Sequence, residues 1–296
     1  MSLSPAPRDE KPMLRILRAD NPSPMTHTGT MTYLLGDGEV VLIDPGPDLA
    51  NHADAILAAL EPGERIVALL ATHAHADHVA GMARLQALTQ APSFGFGPSG
   101  SGRSAVMAGL VQQGLPGGDE GFDATFAPDQ RLVDGQIICP AGFDITAIHT
   151  PGHTGCSMSF AVGDWLFTGD LAMGWASSLI SPPNGNMATY LASLARLARQ
   201  DWSQLYPGHG ESVEDASARL AELIRHRHDR ERKILEALAN GQTEIPSITN
   251  AIYQGIPTGL SPAASRNVLA HLIDLTARGR VLATPDPLPW ARFTLP

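Results

Sequence analysis

Four side chains able to bind a transition metal fall within six residues, His73-Ala74-His75-Ala76-Asp77-His78, just after the apolar run Ile66-Val67-Ala68-Leu69-Leu70. A strand that ends in a tight loop can aim alternate side chains at one point, and imidazole with carboxylate suits zinc and its first-row neighbours. His73 and His75, two apart, can share one ion. Asp77 and His78 lie a turn further on and can reach a second, so two metals are the natural count. Val79 to Gln90, with Met82, Leu85 and Leu88 at helical spacing, reads as a helix leaving the site.

Three later segments each follow, or end, a strand-like run. Ile145-Thr146-Ala147-Ile148 leads into His149-Thr150-Pro151-Gly152-His153-Thr154, where Pro151 and Gly152 impose a turn that presents His153 as a third imidazole on the first metal. Trp165-Leu166-Phe167-Thr168 ends in Gly169-Asp170, a carboxylate able to bridge two cations. Leu205-Tyr206-Pro207 ends in Gly208-His209-Gly210, and His209 completes the second site. His149 reads as a packing or outer residue, and His27, His52 and His271 as ordinary surface or satisfied histidines. Asp44, closing Val41-Leu42-Ile43-Asp44-Pro45-Gly46, is the candidate outer-shell acid, because a ligating imidazole usually donates its second N–H to a carboxylate or carbonyl. The competing reading of Asp44 is a turn residue that merely ends the strand.

THAHADH, HTPGHT, FTGD and YPGHG, in that order, resemble the metallo-β-lactamase-fold hydrolases. The resemblance implies a four-layer αββα sandwich, with His73, His75 and His153 on one metal, Asp77, His78 and His209 on the other, and Asp170 bridging. The same seven-ligand set, bridging Asp included, is that of glyoxalase II. Class B β-lactamases usually carry a cysteine where this chain has Asp170, which disfavours antibiotic hydrolysis. Two bound cations imply a bridging hydroxide, since metal coordination lowers the pKa of water from 15.7 to roughly 7. Asp77 is the candidate proton relay, its basicity lowered by ligation.

Around that site the chain divides into residues 1–225, the catalytic domain, and a smaller domain at 226–296. Met31 to Leu35 and Val40 to Ile43 flank the hairpin turn Gly36-Asp37-Gly38. Asn51 to Leu60 reads as a helix closed by Pro62-Gly63. Residues 91–129, rich in Gly and Pro, resist assignment and suggest an excursion beside the site. Arg131 to Ile138 and Phe143 to Ile148 read as a second hairpin, 171–186 with Trp175 as a pocket rim, and Tyr190 as the start of a helix. A helix follows His209 from about Val213 to Arg225, continuing or breaking near Arg230. Three short amphipathic helices and two strands, Arg280 to Ala283 and Trp290 to Phe293, then resemble a winged-helix domain. Its place after the hydrolase domain resembles the lactamase-beta-2-like group, some of whose members are endoribonucleases.

Charge weighs against nucleic acid. Residues 226–296 hold eight Lys and Arg against six Asp and Glu, a net of +2, while the whole chain carries −10. A nucleic-acid-binding domain usually displays a strongly basic face. The run Arg225 to Lys233 is the one basic concentration, and such runs are more often solvated helix faces. Packing or homodimerisation is therefore the favoured role of the small domain, with RNA a lesser one.

Two cysteines, Cys139 and Cys156, and no signal-peptide pattern predict a cytoplasmic protein. No apolar stretch approaches the roughly 18 residues of a membrane span. Cys156 reads as a small buried residue rather than a catalytic thiol. The leading expectation is a dinuclear hydrolase, with zinc first and iron or manganese as alternatives, acting on a small ester, thioester or lactone. A phosphodiesterase cutting single-stranded RNA is the alternative. A nucleic-acid-binding regulator is a third, disfavoured because a pure binding module needs no set of five convergent imidazoles.

Overall fold

Gly36-Asp37-Gly38 turns the chain with both glycines at positive φ, and the first sheet grows around that hairpin. The computed structural model describes residues 11–117, 121–255 and 257–296; the reading of the N-terminus as free of a signal peptide falls largely on residues 1–10, outside them. β1 (Leu14–Arg18), β2 (Met31–Leu35), β3 (Glu39–Ile43), β4 (Arg65–Leu70), β5 (Ser93–Gly95) and β6 (Gln130–Arg131) lie side by side in that order. β1 to β3 run antiparallel and β3 to β6 parallel. Parallel neighbours need crossovers, supplied by α1 (Ala50–Ala58), by α2 (Ala76–Val79) with α3 (Met82–Thr89), and by α4 (Ala105–Gln112). The single helix expected over Val79 to Gln90 is thus two pieces. Gly81 sits against the loop after β3, where a Cβ would lie 3.0 Å from the Pro45 carbonyl, and its N–H bonds Gly46.

The second sheet holds β7 (Ile137–Ile138), β8 (Ile145–His149), β9 (Met158–Val162), β10 (Trp165–Gly169) and β11 (Gln204–Pro207), antiparallel except for β10 and β11. α5 (Met187–Leu197) makes that crossover. It begins three residues before Tyr190. The hairpin expected from Arg131 to Ile138 is divided: Asp134-Gly135 turns the chain, Gly135 at φ 75°, so Gln130–Arg131 joins the first sheet and only Ile137–Ile138 pairs with β8.

Three cores separate the layers. Val41, Ile43 and Leu70 of the first sheet meet Ala147, Phe160 and Phe167 of the second. Val40 and Leu42 turn the other way, onto Ile56 of α1 and Leu85 of α3. Ile148, Leu166 and Leu205 pack against Tyr190 and Leu194 of α5. Burial on both faces explains why these strands read as continuous apolar runs. The expected αββα sandwich is the fold observed.

Beyond it lie α6 (Ala216–Ala239), α7 (Ile245–Ile252), α8 (Ser261–Ala277) and the antiparallel pair β12 (Leu282–Thr284) and β13 (Arg292–Thr294). α6 is one helix of 24 residues running unbroken through positions 225 and 226, where the sequence reading divided the chain. Its first half buries Leu220 and Leu223 on the sandwich. The second half buries Ile234 and Leu238 in the C-terminal core. Into that same core α4 inserts Met107 and Leu110, followed by Leu115; the excursion that resisted assignment is thus partly a brace between the two modules. No helix among the described residues is long and apolar enough to cross a membrane.

Candidate metal centre

Every proposed ligand sits at or just beyond the C-terminal end of a strand: His73 to His78 after β4, His153 after β8, Asp170 after β10 and His209 after β11. All seven come together, in two sets. His75 Nδ1 lies 2.9 Å from His73 Nε2 and 3.1 Å from His153 Nε2. With Asp170 these form one group whose candidate atoms lie within 4.8 Å of one another; Asp77, His78 and His209 form the other. Asp77 Oδ2 is 3.2 Å from His209 Nε2 and 3.6 Å from His78 Nε2. Asp170 faces both sets, with Oδ1 3.4 Å from the Nε2 atoms of His78 and His209 and Oδ2 3.6 Å from His153 Nε2.

Whether this donor set fits a cation is tested by what its atoms lack. His78 Nε2 and Asp170 Oδ1 are buried without a hydrogen-bond partner, and orphaned polar atoms of this kind are costly. A divalent cation shared between them would supply the missing partner, and nitrogen with oxygen donors is the chemistry such ions take.

The far side of four of the five rings is also held. His78 Nδ1 donates to Asp44 Oδ2 at 2.7 Å, and Thr72 donates its backbone N–H to Asp44 Oδ1 at 2.8 Å and its hydroxyl to Oδ2 at 2.7 Å. With that hydroxyl committed to Asp44, His73 Nδ1–H donates to Thr72 Oγ1 at 3.1 Å. One buried carboxylate therefore orients a ligand of each set. Asp44 sits at φ 53°, a left-handed conformation that non-glycine residues rarely adopt. His153 Nδ1 donates to the Leu179 carbonyl at 2.8 Å and His209 Nδ1 to the Gly29 carbonyl at 3.2 Å.

The two sets differ electrostatically. Burial, aided by neighbouring imidazoles, holds His73 well below its ordinary pKa and His75 at about 3, so their lone pairs stay free. Burial opposes charge on His78 and His209 too, but there carboxylates prevail. Asp77, Asp170 and Asp44 raise His78 well above its usual range, and Asp170 and Asp77 lift His209 to about 9. Burial works against ionised Asp77, yet His78 and His209 hold it at about 2. A cation binding the second set displaces protons.

Close approach requires Gly208, where a Cβ would stand 2.5 Å from both Asp170 Oδ1 and His78 Cε1. Five of the seven donors, His75, Asp77, His153, Asp170 and His209, open onto a cavity of about 560 Å³. Met25, Met173, Trp175 and Leu179 line one side; Tyr253, Leu260, Ala263 and Asn267, from the C-terminal helices, line the other. The rim expected at 171–186 is in place. A wall from the small domain was not expected, because nothing in its amphipathic pattern says which end meets the site.

Other expectations resolve individually. His149 hydrogen-bonds the Gly155 carbonyl at 2.8 Å and stacks on Phe96. His52 meets Thr32 Oγ1 at 2.9 Å, and Cys156 is buried. His27 is exposed, as expected, and stacks on the rim Trp175 at 4.6 Å. His271 is fully buried on α8 with neither ring nitrogen hydrogen-bonded among the described residues; burial and then Arg227 keep it neutral.

Comparison with known proteins agrees with this fold. The Metallo-beta-lactamase superfamily profile matches residues 25–209, and that of the Beta-lactamase associated winged helix domain residues 245–290. The lactamase-like protein adaB of Aspergillus niger is 32% identical over 85% of this chain and 76% of its own. The Drosophila melanogaster beta-lactamase-like protein 2 homolog is 30% identical over 95% and 94%. An atrochrysone carboxyl ACP thioesterase from Aspergillus chevalieri is 28% identical over 95% and 87%. Among solved structures, the metallo-beta-lactamase family protein TTHA1429 from Thermus thermophilus superposes with a TM-score of 0.75 at 23% identity, covering 96% of this chain and 98% of that one. TTHA1623, solved in a di-iron-bound form, gives 0.51 at 25% identity over 68% and 96%. The chain therefore belongs to the metallo-beta-lactamase superfamily of hydrolases, and it carries that superfamily's associated winged helix domain at its C-terminal end.

Proposed function

We propose that this hydrolase is dinuclear and cleaves the acyl bond of a small thioester, ester or lactone, thioesters foremost. The observation that carries the reading is Asp170, whose two oxygens face two separate donor sets at the floor of a largely apolar cavity. His73, His75 and His153 would hold one cation and Asp77, His78 and His209 the other, with Asp170 between them. Bound divalent ions supply an acidified water near neutral pH and a Lewis acid for the acyl oxygen.

The protein's own contribution is orientation and exclusion of water. Asp44 fixes the tautomer of His78, and through Thr72 that of His73, so that their Nε2 atoms face inward. Met173, Trp175, Leu179 and Leu260 offer an acyl chain an apolar wall. Asp77 lines the same cavity, with Oδ2 accepting from Thr30 Oγ1 at 3.4 Å, and is placed to pass on a proton at that carboxylate. Zinc suits the imidazole-rich set, and the di-iron relative keeps iron in contention. The ACP thioesterase relative supports the thioester reading.

Phosphodiester cleavage in RNA is disfavoured by the fate of the basic run on α6. Arg227 points inward, Arg230 lies 4.0 Å over the Tyr253 ring and donates to the Ile252 carbonyl, and Arg232 pairs with Glu236 and Asp229. Metal analysis with a panel of acyl thioesters, lactones, phosphodiesters and single-stranded RNA tests the proposal. Two metal equivalents and chelator-sensitive thioester turnover are expected. RNA cleavage abolished by His75→Ala, without small-ester turnover, would reverse it.

A further inference from the structure

Arg227 of α6 is fully buried, yet among the described residues it makes no ion pair with a carboxylate, and its Nε lacks a hydrogen-bond partner. A buried guanidinium without a counter-charge is costly, so the groups that it does hold are informative. One terminal nitrogen donates to the Ser178 carbonyl and the other to Asn267 Oδ1 of α8 at 3.3 Å, while the guanidinium lies 5.1 Å over the Tyr190 ring. Asn267 Oδ1 also accepts the Ile180 N–H at 3.0 Å. Between the two pinned residues is Leu179, whose carbonyl accepts a hydrogen bond from His153 Nδ1. On the near side, the Ser178 hydroxyl donates to the carbonyls of Asp170 and Leu171.

We propose that Arg227 and Asn267 are positioning residues for the first donor set. From α6 and α8 they clamp residues 178–180, so that the Leu179 carbonyl holds the His153 ring with Nε2 toward His75 and Asp170. This inference rests on the dinuclear reading above. It makes the C-terminal module a structural part of the hydrolytic centre, contributing both a cavity wall and the clamp behind one ligand. Arginine suits the task because its planar fork serves two acceptors at once, which a lysine's single ammonium on a flexible stem cannot do at fixed geometry. The second set is held elsewhere, by Asp44 and the Gly29 carbonyl, so damage to the clamp should be lopsided.

The test is stepwise Zn²⁺ titration of the full-length protein against a chromophoric chelator, with melting curves of the metal-free form. Wild type should take up two equivalents. In Arg227→Met and Asn267→Ala one equivalent should weaken by about 10–100-fold, the range for removing a ligand's outer partner, while the other stays within about threefold. Arg227→Lys should not restore it. In a His153→Ala background, adding Arg227→Met should bring no further loss, because the clamp then has no ring to hold. Equal weakening of both equivalents, unchanged binding in both variants, or an additive loss beside His153→Ala would overturn the assignment. Should Arg227→Met fail to fold, Asn267→Ala decides by the same criteria. A wild-type protein that binds fewer than two equivalents overturns the dinuclear reading and the clamp with it, a failure distinct from the other three.

Discussion

Replacing Asp44 by Asn changes almost no volume and removes one negative charge, yet the hydrogen-bond geometry predicts a specific lesion. The Thr72 backbone N–H donates to Oδ1, so the asparagine must keep its carbonyl oxygen there. Its NH₂ then occupies the place of Oδ2, facing the Thr72 hydroxyl and His78 Nδ1 at 2.7 Å each. That NH₂ can only donate, so His78 Nδ1 must become the acceptor and its proton move to Nε2. A protonated Nε2 cannot ligate. Loss of an outer partner costs about 10–100-fold in metal affinity, equivalent to roughly 1.4–2.8 kcal/mol, and here it should fall on the set formed by Asp77, His78 and His209. His73 loses its relay through Thr72 as well, so a smaller effect on the first set is expected. Competition titration of Asp44→Asn with Zn²⁺ should show one equivalent markedly weakened and hydrolysis reduced in step. Two equivalents bound with wild-type affinity would refute the tautomer argument, since nothing else in the pocket can compensate for a misplaced proton on a fully buried ring.

Other perturbations follow from the same geometry. Gly208→Ala drives a methyl to 2.5 Å from Asp170 Oδ1; overpacking strain of about 1–3 kcal/mol should appear as lost metal uptake with an unchanged circular dichroism spectrum, and normal metal content would count against it. Ala263→Trp, on the α8 wall of the cavity, should lower kcat/KM for bulky thioesters by about tenfold or more at unchanged metal stoichiometry; an unaltered substrate profile would mean that the wall does not contact substrate. In the metal-free protein His209 is raised from 6.5 to about 9, so its stabilising contribution is complete below about pH 6.5 and lost as pH climbs through 9. Asp77, lowered from 3.8 to about 2, contributes above about pH 3.8 and loses that contribution as pH falls toward 2. Calorimetry on chelator-treated protein should therefore find Tm falling between pH 7 and 9, and a flat Tm there would contradict the assigned carboxylate pull.

The candidate centre was legible in the sequence because its donors are side chains with rare chemistry. A strand end followed by His-x-His-x-Asp-His has few structural uses, and three further strand ends in order left little freedom. Asp44 was legible for the same reason, as an acid at a strand end. The partners of His153 and His209 were not, since both are backbone carbonyls, of Leu179 and Gly29, which any residue could provide. Thr72 was hidden too, because a threonine beside a ligand motif is common and its role depends on the left-handed turn at Asp44. Arg227 misled most directly. In the sequence it is one member of a charged run, and only the packing of α6 against Tyr190 and α8 turns it inward while its neighbours stay on the surface. The helix break at Gly81 was decided by contact with the distant loop at Pro45 and Gly46, beyond the reach of local periodicity, and the Arg131 to Ile138 run was divided by the Asp134-Gly135 turn inside it.

The insertion of α4 into the C-terminal core has an evolutionary corollary. Met107, Leu110 and Leu115 complete an apolar interior whose other buried members begin at Ile234, so the tail that follows is not a cassette that could be grafted onto another member of the superfamily. A chimera that exchanged it alone would leave a hole on one partner and a greasy ridge on the other. Successful recombination has to carry residues 105–115 along with the tail, and these two stretches, far apart in the chain, should be inherited as a unit.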